Sequence, residues 1–226
     1  MEAFAGRGAI GTEPTREQTA VRLLFILDRL GDTCDEGGPL AAVRVVRAQR
    51  KLQKLDFLMR NPDYLADEII TAVEQGRLPP ERLRAAREVL EQREPELHTY
   101  RMLRGQHGAY EPLHNALSVL RHLGLIKIER AGSTSDTHVR RRDYYLLEPG
   151  QLQAQQLRSR VPALAWYDEQ ALYVGLVAKG LIGAALKASQ YEHEEYAATP
   201  SGRVIAGITE RVRPRLAAAL EREGLE

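Results

Sequence analysis

Apolar residues recur at helical spacing near the start of the chain. Thr15 and Gln18 form a capping-box pattern after Pro14, and leucine, isoleucine and valine then follow at three- and four-residue intervals as far as Gly31. Glycine commonly follows the last turn of a helix. The pattern therefore predicts a first helix between Pro14 and Gly31.

A second helical pattern covers residues 40–60, with Pro39 at the position that often opens a helix. Its apolar positions are predicted to face the core, and its opposite face carries basic side chains with Asp56 as the only acid, a net charge of +5. These basic residues are Arg44, Arg47, Arg50, Lys51, Lys54 and Arg60. We expect this face to lie along a DNA backbone or an acidic partner, and solvation or internal pairing is the alternative.

Two further helices are predicted over residues 64–75 and from Pro80 onward, separated by the helix-ending Gly76. Residues 61–96 contain nine acids and five arginines, a net charge of −4 that contrasts with the segment before. We expect this acidic surface either to be solvated or to face a basic one.

The pattern changes after residue 99. Leucines at helical spacing predict an amphipathic helix over residues 110–123, which Gly124 ends. Strict alternation around Ile126 and Ile128, a polar turn at 131–136 and a returning strand over 139–147 predict a β-hairpin. A helix followed by a hairpin is how a winged helix-turn-helix ends.

The C-terminal third predicts helices again: a glutamine-rich one after Gly150, then residues 166–196 and 202–223. The predicted fold is mainly α, a winged helix-turn-helix with a β-hairpin wing and additional N- and C-terminal helices. Three regions are expected: a flexible tail at 1–14, a helical region ending in the winged helix-turn-helix at 15–150, and a C-terminal helical region at 151–226.

Composition narrows the class of protein. The chain has 32 Lys and Arg against 31 Asp and Glu, so any nucleic-acid site has to be local. Cys34 is the only cysteine, no secretory signal precedes the first helix, and the apolar run at 171–186 contains Lys179 and is too short to cross a bilayer. The expected location is the cytoplasm.

Candidate catalytic groupings are poor. The glycine pattern between Gly6 and Gly11 has no strand before it, so it does not predict a dinucleotide site. The six histidines contain no pair at metal-binding helical spacing, and no phosphate-binding loop or nucleophile elbow occurs. The sequence predicts a protein without enzymatic activity, cofactor or metal.

The predicted helix and hairpin carry the best candidate site. Groove reading needs polar side chains on an exposed helix face, and arginines suit nearby phosphates. The candidate DNA-binding residues are His114, Asn115, Ser118, Arg121, His138, Arg140, Arg141 and Arg142. Solvation, protein docking or protection of an edge strand by arginines are the alternative roles.

The stretch YEPLHNALSVLRHLGLIKIER, followed by RRRDYYLLEPG, resembles the end of bacterial winged-helix regulators of the PadR and MarR types. A narrower resemblance rests on RLLFILDRLG, RAQRKLQKLDFLMRNPDYLADEI, the hairpin and LVAKGLIGAALKASQYEHEEYA, in that order. This order is similar to the middle components of ABC-three-component systems, including the accessory subunit of Lamassu-type anti-phage systems.

The narrower resemblance implies a noncatalytic winged-helix subunit that binds an SMC-like coiled-coil ATPase. Such a subunit would assist DNA engagement in a defence complex that also contains an effector subunit and makes no use of a membrane. Double-stranded DNA is a further expected partner. The alternative is a homodimeric transcriptional regulator that binds an operator, and an enzyme with an unrecognised site is a third class.

Overall fold

The computed structural model describes residues 15–34, 38–91, 104–105, 108–109, 113–131, 141–178 and 205–225. Within these segments the helices are α1 (Arg16–Leu30), α2 (Gln49–Arg60), α3 (Pro62–Glu74), α4 (Leu83–Glu91), α5 (His114–His122), α6 (Glu148–Arg160), α7 (Ala165–Ala178) and α8 (Thr209–Arg222). The strands are β1 (Asp32–Thr33), β2 (Ala42–Arg47), β3 (Arg104–Gly105), β4 (Gly108–Ala109), β5 (Ile126–Ala131) and β6 (Arg141–Leu147). The fold is mainly α, as predicted. The predicted tail at 1–14 lies outside the described residues.

Helix α1 begins and ends where the sequence predicts. The Thr15 side chain accepts a hydrogen bond from the Gln18 N–H at 3.2 Å, and the Gln18 side chain accepts one from the Thr15 N–H at 2.9 Å. Gly31 ends the helix in an extended conformation. A Cβ at this position would lie 2.5 Å from the Leu27 carbonyl oxygen and 3.0 Å from the Arg44 Cβ, so glycine is needed for the close approach of β2.

The prediction of one helix over residues 40–60 is wrong in its first half. Residues Ala42–Arg47 form β2, which pairs antiparallel with β6 through Val45 opposite Tyr145 and Val46 opposite Tyr144. β-Branched residues suit a strand, and this strand has a backbone partner that local periodicity does not reveal. Helix α2 starts only after Ala48.

The four main strands form one antiparallel sheet in the order β1-β2-β6-β5. The predicted hairpin is confirmed: β5 pairs with β6, with Ile126 opposite Leu146 and Ile128 opposite Tyr144. Gly124 ends α5 with a φ of 68°, a conformation that favours glycine. The turn at 132–140 lies outside the described segments.

Helix α1 lies at the centre of the core. Residues 23–27 are five consecutive apolar positions, each no more than 1% exposed, so the helix is buried around its whole circumference. It packs against α2, α5, α6, α7 and the sheet. The predicted boundary at residue 150 falls inside α6, and Ala154, Tyr167 and Val174 belong to the same core as α1.

Helix α8 is held on α3 by opposite charges. Arg215 pairs with Asp67 and Glu74, and Arg222 donates to Glu74 at 2.8 Å. The buried Asp63 accepts a hydrogen bond from the Ile208 N–H at 2.6 Å, just before α8 begins. Of the two expectations for the acidic segment, apposition to a basic surface is confirmed for α3.

No helix in the described ranges combines the length and apolar character that crossing a membrane requires.

The orientation of α5 generates a stability prediction. Leu120 is 3% exposed within the core, so Leu120→Ala is expected to lower the free energy of unfolding by about 2–5 kcal/mol through lost burial and a residual cavity. His114→Ala, on the exposed side of the same helix, should change it by less than about 0.5 kcal/mol. Urea denaturation of both variants measures the difference, and equal effects would mean that the helix is rotated from the orientation described.

The α3–α8 contact generates a pH prediction. Burial raises the pKa of Glu74, but hydrogen bonds from Arg215 and Arg222 outweigh it and lower that pKa below its ordinary value. The resulting stability is present at neutral pH and is lost as the pH falls from about 4.3, the ordinary value for glutamate, through the lower folded-state pKa.

Glu74→Gln should therefore lower the melting temperature at pH 7 and make it less dependent on pH below about 4.3. Glu221→Gln, an exposed position on α8, is the matched control and should leave the pH profile unchanged. Melting curves from pH 7 to pH 3 make the comparison. Coincident profiles for the Glu74 variant and the wild type would contradict the role given to this carboxylate.

Candidate nucleic-acid interface

One side of α5 presents a continuous polar surface. His114, Asn115, Ser118, Arg121 and His122 are all exposed, whereas the apolar residues between them are buried (Ala116, Leu117 and Leu120) or partly buried (Val119). Because successive helical residues are rotated by about 100°, these five positions cover an arc of about 120°. The structure thus brings together all four candidate residues that the sequence places on this helix.

The hairpin carries a pair of facing arginines. Arg130 on β5 lies directly opposite Arg142 on β6, and both are exposed. They continue the sheet face that packs on the core through Ile128 and Tyr144, because paired residues share a face. Opposed side chains in such a pair have Cβ atoms about 5 Å apart, and two like charges there repel each other.

Neither arginine has an acidic partner among the side chains that the structure describes. A bound anion would relieve their repulsion, and a phosphate group has the geometry to accept from both guanidiniums. Arg130 was not among the residues predicted from the sequence. Its relation to Arg142 depends on the hairpin register, which a long turn does not specify.

Arg141 is placed differently from Arg142, the next residue of β6. It lies on the other sheet face and donates two hydrogen bonds of 2.8 Å to Asp143. Asp143 is 2% exposed and also accepts the Ala48 N–H at 3.2 Å. The Arg141 guanidinium is therefore already engaged within the fold. Of the other hairpin candidates, His138 and Arg140 lie outside the described residues.

The helix and hairpin together are basic. Residues 113–131 and 141–147 contain five Lys and Arg against two acids, a net charge of +3. Lys127 pairs with Glu129 at 2.8 Å, and Arg141 pairs with Asp143. Burial first, and then the nearby Asp143 and Glu129, raise the pKa of Tyr145, so this side chain adds no charge at neutral pH. Arg121, Arg130 and Arg142 supply the excess positive charge.

The basic residues of 40–60 do not form the predicted common face. Lys54 is 1% exposed and pairs with Glu68 at 2.5 Å. Arg60 is also buried, and its guanidinium lies 3.8 Å from Asp56. The prediction of an exposed basic helix face is therefore wrong at these two positions, because both side chains are buried and lie beside acidic side chains inside the fold.

The remaining four residues of that set lie nearer the surface. Lys51 and Arg47 approach Asp32 at 3.1 and 3.8 Å, and Arg44 donates to the Thr33 hydroxyl at 3.1 Å. Arg50 is exposed near the start of α2. Arg44 and Arg47 project from a strand, so they and the α2 residues do not share one helical stripe.

The chemistry assembled by α5 and the hairpin is that of hydrogen-bond donation. Guanidinium, imidazole, amide and hydroxyl groups suit phosphate oxygens and base edges. Among the residues given coordinates, no three His, Cys, Asp or Glu side chains group together as a metal site.

No protein-family model matches the chain, and neither the curated proteins nor the solved structures contain a significant match to it.

Proposed function

We propose that this protein is a noncatalytic winged-helix subunit that binds duplex DNA through α5 and the β5–β6 hairpin. In this role it binds an SMC-like coiled-coil ATPase and assists that ATPase in engaging DNA within an anti-phage defence complex. The observation that carries the DNA-binding part is the opposed pair of Arg130 and Arg142, which has no acidic partner among the described residues.

The strand order supports the winged-helix assignment. Strand β2 follows the first long helix and pairs with the returning strand of the hairpin, which gives the order β2-β6-β5. Helix α5 directly precedes this hairpin and packs on both α1 and β5. In a winged helix-turn-helix, the helix before the wing is the one that enters the major groove. The polar arc of α5 is exposed for that contact.

The distribution of charge supports a backbone-reading mode. Arg130 and Arg142 lie together on one face of the hairpin, and Arg121 lies at the end of α5. Guanidiniums without an acidic partner in the described segments are available to replace condensed counterions on a duplex, which is the main source of sequence-independent affinity. Such binding suits a subunit that helps an ATPase to hold DNA of any sequence.

The partner and the defence context rest on the sequence resemblance. Lys54 is internal, so it is unsuitable as a partner contact. The exposed basic residues near the start of α2 are Arg47 and Arg50, and Lys51 is partly exposed beside Asp32. Association through such accessible charges is expected to be fast and sensitive to salt.

An alternative function is favoured by the composition of the α5 arc. Asn115, Ser118 and His114 are exposed side chains that can hydrogen-bond base edges. A homodimeric regulator would use two copies of this helix to read half-sites spaced about 10 base pairs apart. It would bind one operator far more tightly than unrelated DNA, whereas the accessory subunit would bind unrelated duplexes with similar affinities.

The arginine pair generates the first functional prediction. Replacing both Arg130 and Arg142 with alanine should weaken binding to a random-sequence duplex. It should also lower the magnitude of the slope of log affinity against log salt by about 1.8, because each phosphate contact contributes about 0.9. Fluorescence anisotropy over a series of salt concentrations measures both quantities.

The matched control removes two arginines elsewhere. Arg84 and Arg160 are exposed on α4 and α6, so the R84A/R160A variant has the same net charge but keeps the hairpin pair. It should retain the wild-type slope. An unchanged slope in the R130A/R142A variant, with unaltered circular dichroism, would refute DNA binding by the hairpin.

The proposed assembly generates a second functional prediction. The purified protein should hydrolyse no ATP, and it should form a stable complex when co-expressed with an SMC-like ATPase encoded beside it. Charge reversal at Arg47 and Lys51 should weaken that complex or its retention on DNA. A protein that binds one operator as a dimer and has no affinity for such an ATPase would establish the regulator instead.

A further inference from the structure

A cleft opens between α4 and α8, formed by different residues from those of the α5–hairpin surface. Its volume is about 320 Å³. Apolar and charged side chains line it together, namely Leu90, Leu216, Leu220, Arg87, Arg213 and Glu91. The cleft therefore joins an apolar floor to a charged rim.

The floor has room for one side chain and too little open surface for a whole helix. Leu216 and Leu220 are 5% and 4% exposed, because most of their surface already packs in the core. The volume is at the lower end of the range for ligand pockets, about 300–1,000 Å³. A single large apolar group inserted between the helices fits this shape, as an anchor residue does at the centre of a protein interface.

The rim carries an excess of positive charge. Of the four arginines in α8, Arg211, Arg215 and Arg222 pair with acids of α3. Arg213 points to another side of the helix, since it is rotated by about 200° from Arg211. Within the described chain it has no acidic partner.

Arg87 supplies the second positive charge at the rim. It also lacks an acidic partner among the described side chains. Its neighbour Glu88 instead accepts a hydrogen bond from the Tyr173 hydroxyl at 2.6 Å. Glu91 is the one acid among the described residues that line the cleft. Two guanidiniums against one carboxylate favour an anionic occupant.

We propose that this cleft is a docking site for an acidic segment of a partner protein. One large apolar side chain of that segment occupies the space over Leu216 and Leu220, and carboxylates on either side of it pair with Arg87 and Arg213. The site is independent of DNA binding, and its test does not require the identity of the ATPase.

The test uses three fluorescein-labelled nonapeptides with the purified full-length protein. The first has a central phenylalanine flanked by glutamates, the second replaces the phenylalanine with serine, and the third replaces the glutamates with glutamine. Fluorescence anisotropy at low salt should show saturable binding of the first peptide. The other two should bind at least about tenfold more weakly, because the second lacks the apolar anchor and the third lacks the carboxylates.

Variants locate the binding to the cleft. R87E/R213E should weaken binding of the first peptide at least about tenfold, whereas R84E/R160E, with the same change in net charge, should not. Ala217 is exposed and lines the cleft, so A217W should also block binding, by filling the space without altering charge. All variants should retain the wild-type circular dichroism spectrum and the wild-type slope of log DNA affinity against log salt.

Three results would overturn the proposal: no saturable binding of the acidic phenylalanine peptide, equal binding of all three peptides, or wild-type binding by both R87E/R213E and A217W. Failure of the proposed DNA-binding function would instead appear in the salt dependence of the hairpin variant. The two ideas therefore fail in separate measurements.

Discussion

The antiparallel pairing of β2 with β6 connects the hairpin to the helical body. Its key side chain is Asp143, which is buried at 2% exposure and accepts the Ala48 N–H, 95 residues away in sequence. Ala48 connects β2 to α2 and has a φ of 73°. A left-handed conformation at a non-glycine residue is unfavourable unless its surroundings hold it. The same carboxylate binds Arg141, so one buried acid links β6 to the residue that precedes α2.

This pairing also decides which arginines of the hairpin are available. Alternation along β6 places Arg141 on the face of Asp143 and Arg142 on the face of Arg130. Arg141 is neutralised within the fold, whereas the other two remain opposed and without described acidic partners. The register between β5 and β6 therefore determines both the sheet and the surface that we propose for DNA binding. The arginines of α8 show the same contrast between paired and surface positions. Arg215 pairs with acids of α3, whereas Arg213 lies at the rim of the α4–α8 cleft.

The two proposed surfaces involve different elements, α5 with the hairpin and α4 with α8. A protein that contacts DNA with one and an acidic segment with the other can connect two components without performing chemistry itself. Both surfaces combine guanidiniums that have no acidic partner among the described residues with side chains held in place by the core. Their affinities should both depend on salt, but only the cleft also requires an apolar anchor.

Local signals in the sequence determined α1, α3, α5 and the hairpin, because caps, helix-ending glycines and apolar periodicity act within a few residues. Only the tertiary structure decided the conformation of Val43–Val46: valine at these positions fits both helical and strand spacing, and a distant strand supplies the hydrogen bonds. The burial of Lys54 against Glu68 and the opposition of Arg130 to Arg142 were decided in the same way. Charge along a sequence is a local property, but whether a charge is paired or exposed depends on which distant segment packs against it.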